Sequence, residues 1–212
     1  MTMFIRRVLV LAFLCATAVA EEPVKYSGPQ PGERLPKFEV VDAFGPDEQK
    51  PYDMVSRFGD EPGMLVVIHD MLNNRSDEPS LGLAYVLAHY AATRKETGLQ
   101  RSVVFLTDDV TAMKSFLTKI RRALPKNETP IVISTDGLEG PGSWGLNRNL
   151  RVTVVISNQG QSVANFALQQ PSVQADTPRI LKELVKLIGG DVPTLRDLDF
   201  PYYIAKPPSA GE

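Results

Sequence analysis

Apolar runs of strand length alternate with segments of helical period from residue 38 to residue 188. Phe38-Glu39-Val40-Val41-Asp42 alternates as a short strand does. Residues 52–58 either pair back on it or wind into a helical turn. Residues 64–69 are a continuous apolar run with two valines and an isoleucine, suited to a strand covered on both faces. From Ser80, the positions Leu81, Ala84, Leu87, Ala88 and Ala91 recur at helical spacing, and Gly98 marks the end. Residues 103–106 form a second buried strand, stopped by Thr107-Asp108-Asp109. The next helix places Met113, Phe116, Leu117, Ile120 and Ala123 on one face, with Asp109 or Thr111 as N-cap and Pro125 as terminator. A third strand covers residues 131–134, and residues 137–150 are a glycine-rich loop with room for one short helix. Residues 152–156 and 163–168 read as a hairpin joined through Ser157-Asn158-Gln159-Gly160. A last helix carries Ile180, Leu181, Leu184, Val185 and Ile188. Thr177 serves as its N-cap, Pro178 as its first position and Gly189 as its C-cap.

Strands separated by helices pair in parallel through right-handed crossovers, and a hairpin adds antiparallel partners. The pattern therefore predicts an α/β fold around a central mixed sheet.

The two ends differ in composition from this middle. Arg6 and Arg7 precede an apolar stretch over residues 8–17 that is too short to span a bilayer, and Ala18-Val19-Ala20 fits a cleavage site. Residues 1–20 thus read as a signal peptide, so the protein is expected to be exported, to a periplasmic or extracellular location. Residues 21–36 are a proline- and glycine-rich extended leader, 37–190 the folded domain and 191–212 a proline-bearing tail on the surface or disordered. Cleavage leaves 192 of the 212 residues and shifts the formal charge from −2 to −4, because Arg6 and Arg7 leave. It also removes Cys15, the sole cysteine, leaving no disulfide, thiol nucleophile or thiolate ligand. An acidic chain is no nucleic-acid binder, and no membrane span is expected after cleavage.

The order of elements resembles the thioredoxin-like superfamily, in its peroxiredoxin-type (redoxin) branch. Pro31-Gly32-Glu33-Arg34-Leu35-Pro36-Lys37-Phe38 is similar to that branch's entry motif. Leu65-Val66-Val67-Ile68 is similar to the strand before its active-site loop. Gly145-Leu146, then Leu150-Arg151-Val152-Thr153-Val154-Val155-Ile156 and Gly160, are similar to its closing half. The chain also resembles exported redoxin-like proteins with an EGPG-x-x-GLNRN segment, here residues 139–149. The resemblance covers roughly residues 30–188 and implies a three-layer α/β/α arrangement. Its chemistry does not carry over residue by residue. The family's loop holds a proline, a threonine and a peroxidatic cysteine, or C-x-x-C, and residues 70–80 contain no cysteine. Arg151 matches the arginine that stabilises the family's thiolate, with no thiolate here to stabilise. Thiol redox chemistry requires sulfur, so neither peroxidase nor disulfide exchange activity is expected.

In open α/β sheets ligands bind beyond the carboxyl ends of the parallel strands. His69 and Asp70, Asp108 with Asp109, and Asp136 end three strands, and Arg151 belongs near the same edge. Asp70, Asp108 and Asp136 are weak metal candidates, since aspartates after strands more often cap helices or close turns and no tight ligand spacing links these. No cofactor is expected. Trp144, Asn147 and Arg148 combine residue types that recognition surfaces use, against the alternative that a lone tryptophan fills the core. The ligand-binding candidates are therefore Trp144, Asn147, Arg148, Arg151, His69 and Asp70, for a protein, peptide or small-molecule partner. The competing expectation is a cysteine-independent enzyme, with metal held by Asp70, Asp108 and His69.

Overall fold

The central strand β3 (Gly63–Ile68) is buried along its whole length, as its unbroken apolar sequence demands. The structure, a computed structural model, describes residues 25–46, 50–69, 71–73, 78–124 and 129–198. The signal peptide, the start of the leader, Asp70, the 74–77 loop, Pro125 and residues 199–212 lie outside the described residues. A seven-stranded sheet runs β2-β1-β5-β4-β3-β6-β7, with β1 (Glu39–Asp42), β2 (Tyr52–Asp53), β4 (Gln100–Phe105), β5 (Ile131–Ser134), β6 (Val152–Asn158) and β7 (Gln161–Leu168). The pairs β3–β4 and β4–β5 are parallel, whereas β3–β6, β6–β7, β1–β5 and β1–β2 are antiparallel. The sheet is mixed, as the alternation implied.

Side chains alternate between two cores. Met64, Val66 and Ile68 meet α2 (Glu78–Ala92), α3 (Val110–Lys119) and α4 (Val173–Ile188), while Leu65 and Val67 meet Phe38, α1 (Met54–Phe58) and Trp144. The asymmetry follows from topology. The path β3–α2–β4–α3–β5 moves one way across the sheet, so two right-handed crossovers put both helices on one face. The chain must then return from β5 to β6, beyond β3, and it does so over the opposite face. The outer layers are therefore unequal: three long helices on one side, and on the other a short helix, the entry segment and the 135–151 loop.

Local signals explain most boundaries. Residues 52–58 realise both expected forms, two residues pairing with β1 before α1 starts on Asp53, whose carboxylate accepts from Val55 N. Asp109 caps α3 through Ala112 N at 2.8 Å. Helix α2 ends at Ala92, inside the limit set by Gly98, which closes a later 3-10 turn. Helix α4 begins at Val173, earlier than Thr177-Pro178 indicated. Ser172 Oγ accepts from Ala175 N at 3.2 Å, and Asp176 Oδ2 accepts from Ser172 N at 2.7 Å. This reciprocal cap outweighs the proline, which in the second turn removes only one intrahelical bond.

The tail's first residues do not float free. A turn closed by Asp197 N donating to Thr194 O at 3.0 Å brings Leu195 and buried Leu198 onto the helix-side core. Truncation after Gly190 is thus expected to lower the unfolding free energy by at least about 2 kcal/mol, read as a lower urea midpoint. An unchanged midpoint would show these leucines to be dispensable.

Candidate functional site

At the end of β3 the apolar run stops at His69, which is 1% exposed. Its backbone N–H donates to Arg151 O at 2.9 Å, continuing the β3–β6 ladder one step past the strand. Its Nε2 lies 2.9 Å from Thr153 Oγ1, which lies 2.7 Å from Ser27 Oγ. Ser27 Oγ in turn accepts from Asn147 N at 3.0 Å. All three side chains are buried, so the residues form a continuous polar chain inside the domain. Nδ1 of His69 has no partner among the described residues. Burial pushes the imidazole's pKa down to about 4, which keeps it neutral at physiological pH.

Thr153 is the reason for the chain. It is the one polar side chain amid the Val152, Val154, Val155 and Ile156 run, and its register turns it to the face that the helices leave open. A buried hydroxyl must find partners, and the leader supplies one. Residues 26–29 run along this face, with Ser27, Gly28 and Pro29 buried. Asn165 of β7 donates from Nδ2 to Ser27 O at 2.8 Å and to Pro29 O at 3.0 Å.

Of the other expected site residues, Asn147 and Arg151 touch this polar chain through their backbones. Trp144 is 2% exposed, its Nε1–H shared between Pro36 O at 3.0 Å and Lys37 O at 3.2 Å, its ring 4.7 Å from that of Phe38. It fills the open-face core, and its one donor is used within the fold. Asn147 shapes its own loop, accepting from Asn149 N at 3.0 Å and holding Ser27 through its backbone. Arg148 pairs with Glu139 at 3.2 Å with both side chains about two-thirds exposed, a pair of small energetic consequence. Arg151 is half-buried, adjoining His69 through its backbone. Asp108 accepts from Leu138 N at 2.9 Å and so clasps the 137–138 turn, while Asp136 is exposed after donating its N–H to Ser134 Oγ at 3.2 Å. Among the described residues no three His, Cys, Asp or Glu side chains gather as a metal would require. Asp70 lies outside them.

No family model matches the sequence, and neither does any curated protein. Solved structures do. A protein assigned as the thiol:disulfide interchange protein DsbE of Chlorobium tepidum superposes with a TM-score of 0.55 at 14% identity, over 77% of this chain and 99% of its own. Peroxidoxin BcpB of Mycobacterium tuberculosis does so with 0.54 at 18% identity, over 75% and 98%. The fold is thioredoxin-like.

In this frame β3 ends at Ile68, and the residue that follows it, His69, is a sealed, neutral imidazole. Ser27, Thr153 and Asn165 escaped the sequence-based candidate set. A lone threonine in a run of buried valines was the available signal, because it announces a hydroxyl that another segment must satisfy. No helix among the described residues is long and apolar enough to cross a membrane.

Proposed function

We propose that the protein is an exported thioredoxin-fold module without thiol redox activity, serving as a non-catalytic binding or scaffold component of the cell envelope. One observation carries the proposal. The chain's single cysteine, Cys15, falls within the segment read as a signal peptide, and the end of β3 presents buried His69. Disulfide exchange and peroxide reduction both start from a thiolate, and the exported chain has none to offer. A carboxylate-based site gains no support, since Asp108 and Asp109 are spent on a loop clasp and a helix cap.

Expressed from its full sequence, the protein is expected in the exported fraction with Glu21 at its N-terminus. Purified from there, it is expected to show no insulin reduction and no thioredoxin-coupled hydroperoxide consumption above the blank. Turnover in either assay overturns the non-catalytic reading, and retention of residues 1–20 overturns export.

A further inference from the structure

We propose that Asn147, Thr153 and Asn165 form a peptide-recognition site for a segment that bends at a glycine following a serine. Residues 26–29 of this chain occupy it in cis, and a partner segment of the same chemistry can take it in trans. The inference deepens the binding role proposed above and rests on it.

The contacts have the form of peptide capture, each directed at the backbone or a hydroxyl of a short stretch that bends at Gly28. Asn147 Nδ2 donates to Tyr26 O at 3.4 Å, and Asn147 N to Ser27 Oγ at 3.0 Å. Thr153 Oγ1 meets the same hydroxyl at 2.7 Å, and Asn165 Nδ2 spans Ser27 O and Pro29 O. Gly28 N donates to Gly145 O at 3.2 Å. The groups on the domain side are a backbone N–H, a backbone carbonyl, two amides and a hydroxyl, an uncharged set that reads chain direction and one small polar side chain.

Two features set the specificity. The serine hydroxyl completes the buried chain ending at His69, so an alanine in its place leaves Thr153 and Asn147 N short of a partner. The next position favours glycine through its φ of +78°, which L side chains rarely adopt, while a Cβ there would already touch Asn165 Nδ2, Leu146 Cδ2 and Thr153 Cγ2 at 3.4 Å and leave no room for a branched side chain.

The segment can leave without unravelling the sheet. Glu33 N donates to Gln30 O at 2.9 Å in a turn containing Gly32 at φ +91°. Beyond that turn the chain is anchored separately, by Ser162 N donating to Glu33 O at 2.8 Å, by Leu35 N donating to Gly160 O at 2.9 Å and by Trp144 on Pro36 and Lys37. Residues 26–29 are therefore a unit of their own, opening below the free energy of global unfolding. A partner competes with a tethered segment at high effective concentration, so binding in trans is weak until the cis copy is displaced.

The test uses the full exported chain with Gly28→Val, which disfavours the cis segment by sterics and by φ. The probe is a fluorescein-labelled synthetic peptide of residues 25–31. It is expected to bind the variant saturably and at least tenfold more tightly than the wild-type chain. Peptides carrying Ser27→Ala or Gly28→Val are expected to bind the variant at least tenfold more weakly, and Asn165→Ala in the variant to weaken the unaltered peptide similarly. Equal binding of the three peptides overturns the proposal, as does absence of binding to a variant with native circular dichroism. If the variant does not fold, hydrogen exchange on the wild type decides. Excess unlabelled peptide should accelerate exchange of the Gly28 amide and the Ser27→Ala peptide should not, and an amide indifferent to both overturns the site. Thiol turnover in the earlier assays would remove the non-catalytic reading while leaving selective peptide binding in place; indiscriminate binding without turnover would do the reverse.

Discussion

Acidification from pH 7 to pH 4 is expected to remove about 3 kcal/mol of folding stability through His69 alone. The unfolded imidazole titrates near 6.5, and burial pushes the folded one down to about 4. Below pH 6.5 the unfolded chain takes up a proton that the native state refuses, so stability is full above pH 6.5 and falls as the pH drops toward 4. Among the described residues the site gives no relief, since the ring is sealed and its partner is the uncharged hydroxyl of Thr153, itself bonded to that of Ser27. Carboxylates act in a different window. Asp53, where burial is outweighed by hydrogen bonds from Ser56, Phe38 N and Val55 N, and Asp197, held by Thr194, lie below the usual carboxylate range, so their contribution is lost only below about pH 3.8. Urea unfolding at half-unit steps between pH 4 and 7 separates the two. His69→Leu should flatten the curve in this window, and an equal slope in variant and wild type would mean that His69 is not buried neutral.

Replacing Trp144 by alanine is expected to have the largest effect of any single truncation, about 3–5 kcal/mol. The ring plugs the face that lacks long helices, packing tilted against Phe38 and carrying the bond from its Nε1–H to Pro36 and Lys37. Its loss opens a cavity that the backbone-rich loop around it is ill placed to fill, and it frees the entry segment. Trp144→Phe retains the apolar filling but leaves two carbonyls without that donor, for a loss of about 1–2 kcal/mol. Urea midpoints at constant m-value measure both. A loss under 1 kcal/mol for the alanine variant would return Trp144 to the list of surface residues.

The strands and their order were legible because β3, β4, β5 and β6 are short apolar runs between turn signals, and burial on both faces leaves little choice of side-chain type. Helix α3 announced its cap through Asp109. Helix α4 was misplaced at its start because Thr177-Pro178 satisfies the local rule for a first turn, while the operative cap needs Ser172 and Asp176 to meet across one turn. The polar residues after the strands looked like a site by position. Their roles depended on what each reached: a loop amide for Asp108, a helix end for Asp109, the Ser134 hydroxyl for the backbone of Asp136.

By itself the sequence determined the mixed α/β sheet and the absence of any cysteine after Cys15, because both follow from residue type along the chain. Only the tertiary structure decided what stands at the carboxyl end of β3. His69, Thr153 and Ser27 are separated by up to 126 residues, and a hydroxyl inside an apolar strand says that a partner is required without saying which. The crossover rule puts α2 and α3 on one face and α4 joins them there, so the other face was left to be completed by the leader, and that choice created the buried polar chain.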